Sequence, residues 1–243
     1  MFIWSMLPFS AFLLLLLLEQ RQRGLRAGKP YAAGDWIMNL SGFFMQGLVV
    51  PLSGYWLATR VFPELWPAAR GILPLGVAGA FVLNVVGVDF LYYVQHYVFH
   101  RLPWLWKLHA PHHYSPTVNI WATSRNALVT HFLFVYTLVN PVLGYLCDRP
   151  DAFFAGAMVT AALDLLRHSS LPLDIPFLKG ILVLPRDHHR HHDGERPHAN
   201  YGANFILWDR LFGTADLQDD YPRAYAAPDA PPVALQLLQP WRI

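Results

Sequence analysis

Cysteine is all but absent: Cys147 is the only one in 243 residues. A lone thiol forms no internal disulfide and cannot supply the several thiolates of a zinc ribbon or an iron–sulfur cluster. Charge is scarce too, at 14% of residues where a soluble domain carries about 25%. The net charge of +2 includes no basic block, which argues against a nucleic-acid partner, whose phosphates call for clustered Lys and Arg. No GxGxxG run follows a strand-like segment, so no flavin- or nicotinamide-binding unit is expected. What fills the chain instead is apolar: 54% hydrophobic residues, 15% aromatic, mean hydropathy +0.28. That is too apolar for a water-soluble globule of this length and implies an integral membrane protein of one domain, or two at most.

Five apolar runs are candidate membrane helices. Residues 1–18 end in AFLLLLLL and are followed at once by Glu19, Arg21, Arg23, Arg26 and Lys29. With no basic residue before this run and no small-residue cleavage site after it, it reads as a retained anchor. Residues 36–58 hold no charge and are long enough for about 30 Å of hydrocarbon. Residues 71–94 hold one, Asp89, and residues 128–147 and 152–166 are separated only by DRPD, a tight helical hairpin. Alternating these runs across the bilayer puts fifteen of eighteen Lys and Arg on one side, leaving Arg60, Arg70 and Arg149 on the other. By the positive-inside rule the richer side is cytoplasmic.

That side also receives nearly all of the twelve histidines, which fall between His96 and His198. They group as His96 and His100; His109, His112 and His113; and His188, His191 and His192. Spacings of three and four share a helix face, so each group is expected to aim its imidazoles at one point. Eight clustered imidazoles exceed the needs of one metal and suggest two. His168 is a ninth candidate, with Asp164 one turn before it; an acid inside an apolar helix is a functional candidate by default. His131, His189 and His198 read as ordinary hydrogen-bonded histidines. A bis-histidine haem needs one imidazole per face and leaves the HH pairs unexplained. A metal transporter or sensor would set ligands along its spans and stands second, and a zinc hydrolase is a third reading. Imidazole alone does not choose among iron, zinc, copper and nickel.

Residues 89–214 resemble the fatty acid hydroxylase superfamily, the membrane proteins that include sterol desaturases, carotenoid hydroxylases and alkylglycerol monooxygenases. The likeness lies in DFLYYVQHYVFHRLPWLWKLHAPHHYSPTVN, in the single His168 before LPLDIP, and in DHHRHHDGERPHANYGANFILWDRLFGT. Arg125-Asn126-Ala127 stands where RxHP is common, which points away from the sterol branch. The resemblance implies an all-α membrane bundle of about four to five spans or re-entrant helices with a histidine-rich cytosolic helical cap. It further implies a di-iron centre that uses O2 to hydroxylate or desaturate a C–H bond of a lipid-like substrate. Carried over residue by residue, the metal ligands would be His96, His100, His109, His112, His113, His168, His188, His191 and His192.

On this reading Asp164 is either a carboxylate ligand or, preferably, a hydrogen-bond acceptor that orients an imidazole, a role Asp89 shares unless it is a helix-packing contact, Asn200 and Tyr201 order the third box, and Trp208 and Phe212 anchor the cap at the interface. Electrons come from a separate transfer protein, for which Arg186, Arg190 and Arg196 are a candidate dock; anionic lipid is the competing use of those arginines. The organisation expected is an N-terminal anchor over 1–70, a catalytic unit over 71–215 and a loosely ordered tail over 216–243.

Overall fold

Apolar chain in hydrocarbon has no water to bond its amides, so it closes them within helices. The computed structural model is all-helical in this sense: it describes residues 2–22, 30–173, 175–194, 198–225 and 230–242, with side chains from residue 6 onward. Among these there are only isolated bridges and no strand. Arg23, Arg26, Lys29 and Arg196 lie outside the described residues.

The main helices are α1 (Phe2–Arg21), α2 (Ala33–Leu65), α3 (Gly76–Arg101), α4 (Pro103–His113), α5 (Leu128–Leu146), α6 (Pro150–His168), α7 (Pro185–His191), α8 (Leu207–Phe212) and α9 (Val233–Leu238). Three of them, α2, α3 and α5, are long and apolar enough to cross a membrane. The other two expected spans are α1, of 20 residues, and α6, of 19, which carries Asp151, Asp164 and Arg167. Leu15 of α1 and Leu165 of α6 share an apolar cluster with Ile120 and with Leu171 just beyond α6. A second apolar cluster of Ala80, Val88, Val135 and Phe153 joins α3, α5 and α6.

The long helices are not uniform. Stretches 45–49, 57–61, 83–88 and 135–139 are π-helical, and each wide turn rotates the face that follows it. The turn at 83–88 leads straight into the first histidine pair. At the start of α5, Phe134 has φ +37, and the Val135 amide beside it donates to Gln95 Oε1 at 3.1 Å. In the DRPD hairpin, Asp148 accepts the Leu75 and Gly76 amides at 3.1 Å and so caps α3.

Three carboxylates tie distant segments to this frame. Glu19, at the end of α1, accepts the amides of Ser170 (2.6 Å) and Ile120 (3.4 Å). Asp89 accepts from the Asn204 amide (2.6 Å), the Phe205 amide (3.3 Å) and Trp208 Nε1 (2.8 Å). Asp35 meets Arg125 at 3.0 Å.

The described part of the tail is held more firmly than its composition implies. Asp216 and Asp220 pair with Arg190, Asp219 pairs with Arg186 and Lys179, and Tyr225 hydrogen-bonds His189 at 2.7 Å. Gln236 of α9 receives Arg125 Nη2 at 3.2 Å.

Candidate metal centre

All nine histidines singled out in the sequence come together, and they do so as two groups. His96, His100, His109, His113 and His191 form one; His112, His168, His188 and His192 form the other. Within each group the nitrogen atoms lie within 4.8 Å of one another, and every one of the nine residues is buried. The groups adjoin: the His109 and His112 ring centres are 5.2 Å apart and those of His113 and His192 are 4.6 Å apart.

Each HxxHH box is divided between the groups, contrary to the expectation that a box would serve one point. His109 and His113 of α4 join the first group and His112 the second; His188 and His192 join the second and His191 the first. The helix explains the division. Position i+4 lies about 40° to one side of position i and position i+3 about 60° to the other, so the i,i+4 pair points one way and the i+3 imidazole another.

Backbone carbonyls fix the ring orientation. Nδ1 of His96 donates to Tyr201 O (2.9 Å), that of His112 to Arg125 O (3.0 Å), that of His168 to Asp164 O (2.8 Å) and that of His191 to Ala199 O (2.8 Å). A carbonyl only accepts, so the proton sits on Nδ1 and each Nε2 presents a bare lone pair. His112 and His168 Nε2 then face each other at 3.3 Å with no proton between them, while His191 Nε2 is buried and has no hydrogen-bond partner. Opposed lone pairs in a buried site call for a cation between them, and this donor set fits a metal ion in each group. The other ring nitrogen held by a carbonyl is the arrangement that aims and tunes a metal-binding imidazole.

Electrostatics agree with that protonation. Burial pushes His109 and His191 down to about 3 and holds His112, His113, His188 and His192 well below the ordinary histidine value, with neighbouring imidazoles adding to the effect. These six rings are therefore neutral, as ligands must be.

Asp164 and Asp89 occupy different places. The Asp164 carboxylate lies 3.0 Å from His168 Nδ1 and 2.6 Å from Arg167. Asp89 bonds the 204–208 segment, and among the described residues its hydrogen bonds reach no imidazole. Asn200, at φ +56, donates to Asp187 O and Asp216 O at 2.8 Å. Trp208 and Phe212 pack on Phe90 of α3. His131 bonds Gln46 at 2.9 Å, and His189 bonds Tyr225 and Ser169 O; neither enters the groups. Arg186 and Arg190 are already matched by the tail's own acids and do not form an open basic rim.

Sequence reasoning missed Asp209 and the carbonyls of Ala199, Tyr201 and Arg125. Asp209 accepts the Tyr201 amide (2.7 Å), the Gly202 amide (2.8 Å) and the Thr214 hydroxyl (2.7 Å), which locks the loop whose carbonyl holds His96; burial raises its carboxyl to about 6. Its place in the WDRLFGT run was a signal. The carbonyls had none, since every residue carries one.

These features define a membrane protein with a paired, buried imidazole site at the junction of its helices. The profile of the fatty acid hydroxylase family matches residues 81–214, more than half of the chain, and the chain belongs to that family. It is similar to alkylglycerol monooxygenase of Xenopus tropicalis, 29% identical over 208 residues that cover 84% of this chain and 45% of the relative. It is also similar to ornithine lipid hydroxylase OlsE of Rhizobium tropici, 32% identical over 163 residues covering 64% and 45%. A third relative is cholesterol 25-hydroxylase-like protein 1, member 2, of Danio rerio, 27% identical over 197 residues covering 72% and 64%. The chain thus spans about half the length of the first two. No solved structure matches it.

Proposed function

We propose that this chain is an integral membrane di-iron oxidoreductase that uses O2 to hydroxylate or desaturate a C–H bond of a lipid-like substrate: an acyl chain, sterol, isoprenoid or ether lipid. The observation that carries the reading is the pair of adjoining imidazole groups with bare Nε2 atoms facing one another. The relatives, named as lipid monooxygenases and hydroxylases, support the reaction class.

The nine histidines would hold the two ions, and the ions, when bound, supply the activation of O2 and the removal of hydrogen from an unactivated carbon. The protein's own contribution is geometric. Tyr201, Ala199, Arg125 and Asp164 carbonyls keep the protons on Nδ1 and hold the rings at fixed angles. Asp164 acts on His168 as a positioning residue, itself held by Arg167, and Asp89 fixes the loop after the third box to α3. Burial of all nine rings keeps bulk water from the site. The histidine groups face the cytoplasm by the charge distribution of the chain, and reducing electrons come from a separate protein.

The test is anaerobic purification in detergent, metal analysis, then reduction and exposure to air. Two irons per chain with O2 consumed on reduction supports the proposal. Stoichiometric zinc from iron-replete cells, with no O2 uptake after iron reconstitution, overturns it in favour of hydrolysis or transport.

A further inference from the structure

Nine buried imidazoles must be reached by ions that start out hydrated. Stripping a divalent cation of its water all at once is costly, so filling the site calls for a ligand that exchanges water for nitrogen on the way in. His198 stands where such a ligand is needed. It is exposed and lies outside both groups. Among the described residues its ring meets that of His100, a member of the first group, with centres 6.2 Å apart. Two imidazoles sharing one ion at metal–nitrogen distances of about 2.1 Å hold their ring centres about 5 to 6.5 Å apart, so one cation can span this pair.

His100 differs from the other eight in the ways a handover demands. It is the most exposed of the nine, at 7% against 5% or less for the rest. Among the described residues neither of its ring nitrogens has a hydrogen-bond partner, whereas carbonyls hold His96 and His191 of the same group by Nδ1. No carbonyl fixes His100 at one angle, so its ring can turn between an ion outside and the group inside. Trp106, half-buried, packs on His100 and His113 with ring centres 4.8 and 5.1 Å away. An indole N–H only donates, so of the two side chains that flank His100 here it is His198 that offers a lone pair.

The main chain sets the place of His198 without using its side chain. The next residue, Ala199, accepts His191 Nδ1 at its carbonyl (2.8 Å), and the Asn200 amide donates to Thr214 O at 3.0 Å. Shortening the side chain at 198 therefore leaves the carbonyl that orients His191 where it is.

We propose that His198 is a metal-loading ligand: it captures a divalent transition-metal cation at the surface and passes it through His100 to the first imidazole group, without holding it there at rest. The inference rests on the reading of the nine histidines as a two-metal site and not on the O2 chemistry proposed for it. A residue that touches the ion only in passage lowers one barrier from both sides, so it speeds entry and exit by the same factor and leaves affinity alone.

The experiment reads metal transfer without turnover. The metal-free full chain in detergent is mixed with Co2+, whose absorption reports imidazole ligation, and release is then followed into excess EDTA. The wild-type chain should bind two ions. In His198→Ala, uptake and release of one of them should both slow about tenfold, the equivalent of about 1.4 kcal/mol on one barrier, with the other ion, the Kd and the stoichiometry unchanged. His198→Asp, which offers an oxygen ligand in place of the imidazole, should recover most of the rate. Unchanged rates in His198→Ala overturn the proposal. Weakened equilibrium binding in that variant overturns it too, by making His198 a resident ligand, as does an Asp variant as slow as the Ala one. A wild-type chain that binds no Co2+ overturns the two-metal reading and this inference with it.

Discussion

The carbonyl of Arg125 accepts the Nδ1 proton of His112 at 3.0 Å, while the guanidinium of the same residue meets Asp35 at 3.0 Å from within the core. Arg125 also donates from Nε to Pro111 O and from Nη2 to Gln236. One buried cation therefore joins α2, α4 and α9 at the point where its own backbone sets an imidazole. Arg125→Met should lower stability on the order of 3 kcal/mol, the usual cost of removing one partner of a buried pair. It should also release metal from the group that contains His112. Thermal unfolding and metal analysis of the variant check both, and unchanged metal content would show that the hub does not act on His112.

The division of the boxes makes a prediction about stoichiometry. His191→Ala removes a nitrogen from the first group and His112→Ala one from the second, so each variant should lose about half the bound metal, still insert in the membrane, and show no turnover. Retention of full metal and activity by either variant contradicts the assignment.

Acid should destabilise the metal-free protein. His109 and His191 titrate at about 3 when folded and near 6.5 when unfolded, and four more histidines are shifted the same way. Between those values the unfolded chain binds more protons, so stability falls as pH drops through about 6.5 toward 3 and is fully present above that window. The thermal midpoint of chelator-treated protein should be level above pH 7.5 and fall steeply from pH 6.5 to 5; a flat profile would count against buried neutral imidazoles.

Two glycines of α2 form a matched pair. A Cβ on Gly42 would collide with Ser124 O, a backbone atom, whereas one on Gly47 meets nothing within 4 Å. Gly42→Ala should separate α2 from the segment that leads to Arg125 and lower the thermal midpoint by several degrees. Gly47→Ala should leave it level or raise it slightly. Equal responses would mean that the close approach at Ser124 O is not needed.

The family and the all-helical class were legible because each is written in residue type and spacing, and the same spacing made it legible that the nine histidines would converge. The split of each box was not read, although the same helical angles that group i with i+4 also separate i+3. Most of what orients the rings was beyond reach for a different reason. Ala199 and Tyr201 act through main-chain oxygen, and Asp209 acts through the amides of a loop seven and eight residues earlier. The tail's contacts were not legible because Pro, Ala and Asp name no partner, whereas Asp216, Asp219 and Asp220 pair with Arg186 and Arg190. Those arginines in turn looked free only while their partners were unknown.

Glu19 gives the assembly a direction in time. Its acceptors close on Ile120 and on Ser170, which follows it by 151 residues. A chain made from its N-terminus completes α1 long before either amide exists, so Glu19 waits as an open clamp during synthesis. It shuts only after α6 has arrived, and the third box comes later still. Until the third box emerges, six of the nine imidazoles are present, four of the five in the first group and two of the four in the second. In the proposed function, either ion would find its full set of imidazoles only once the third box has been made.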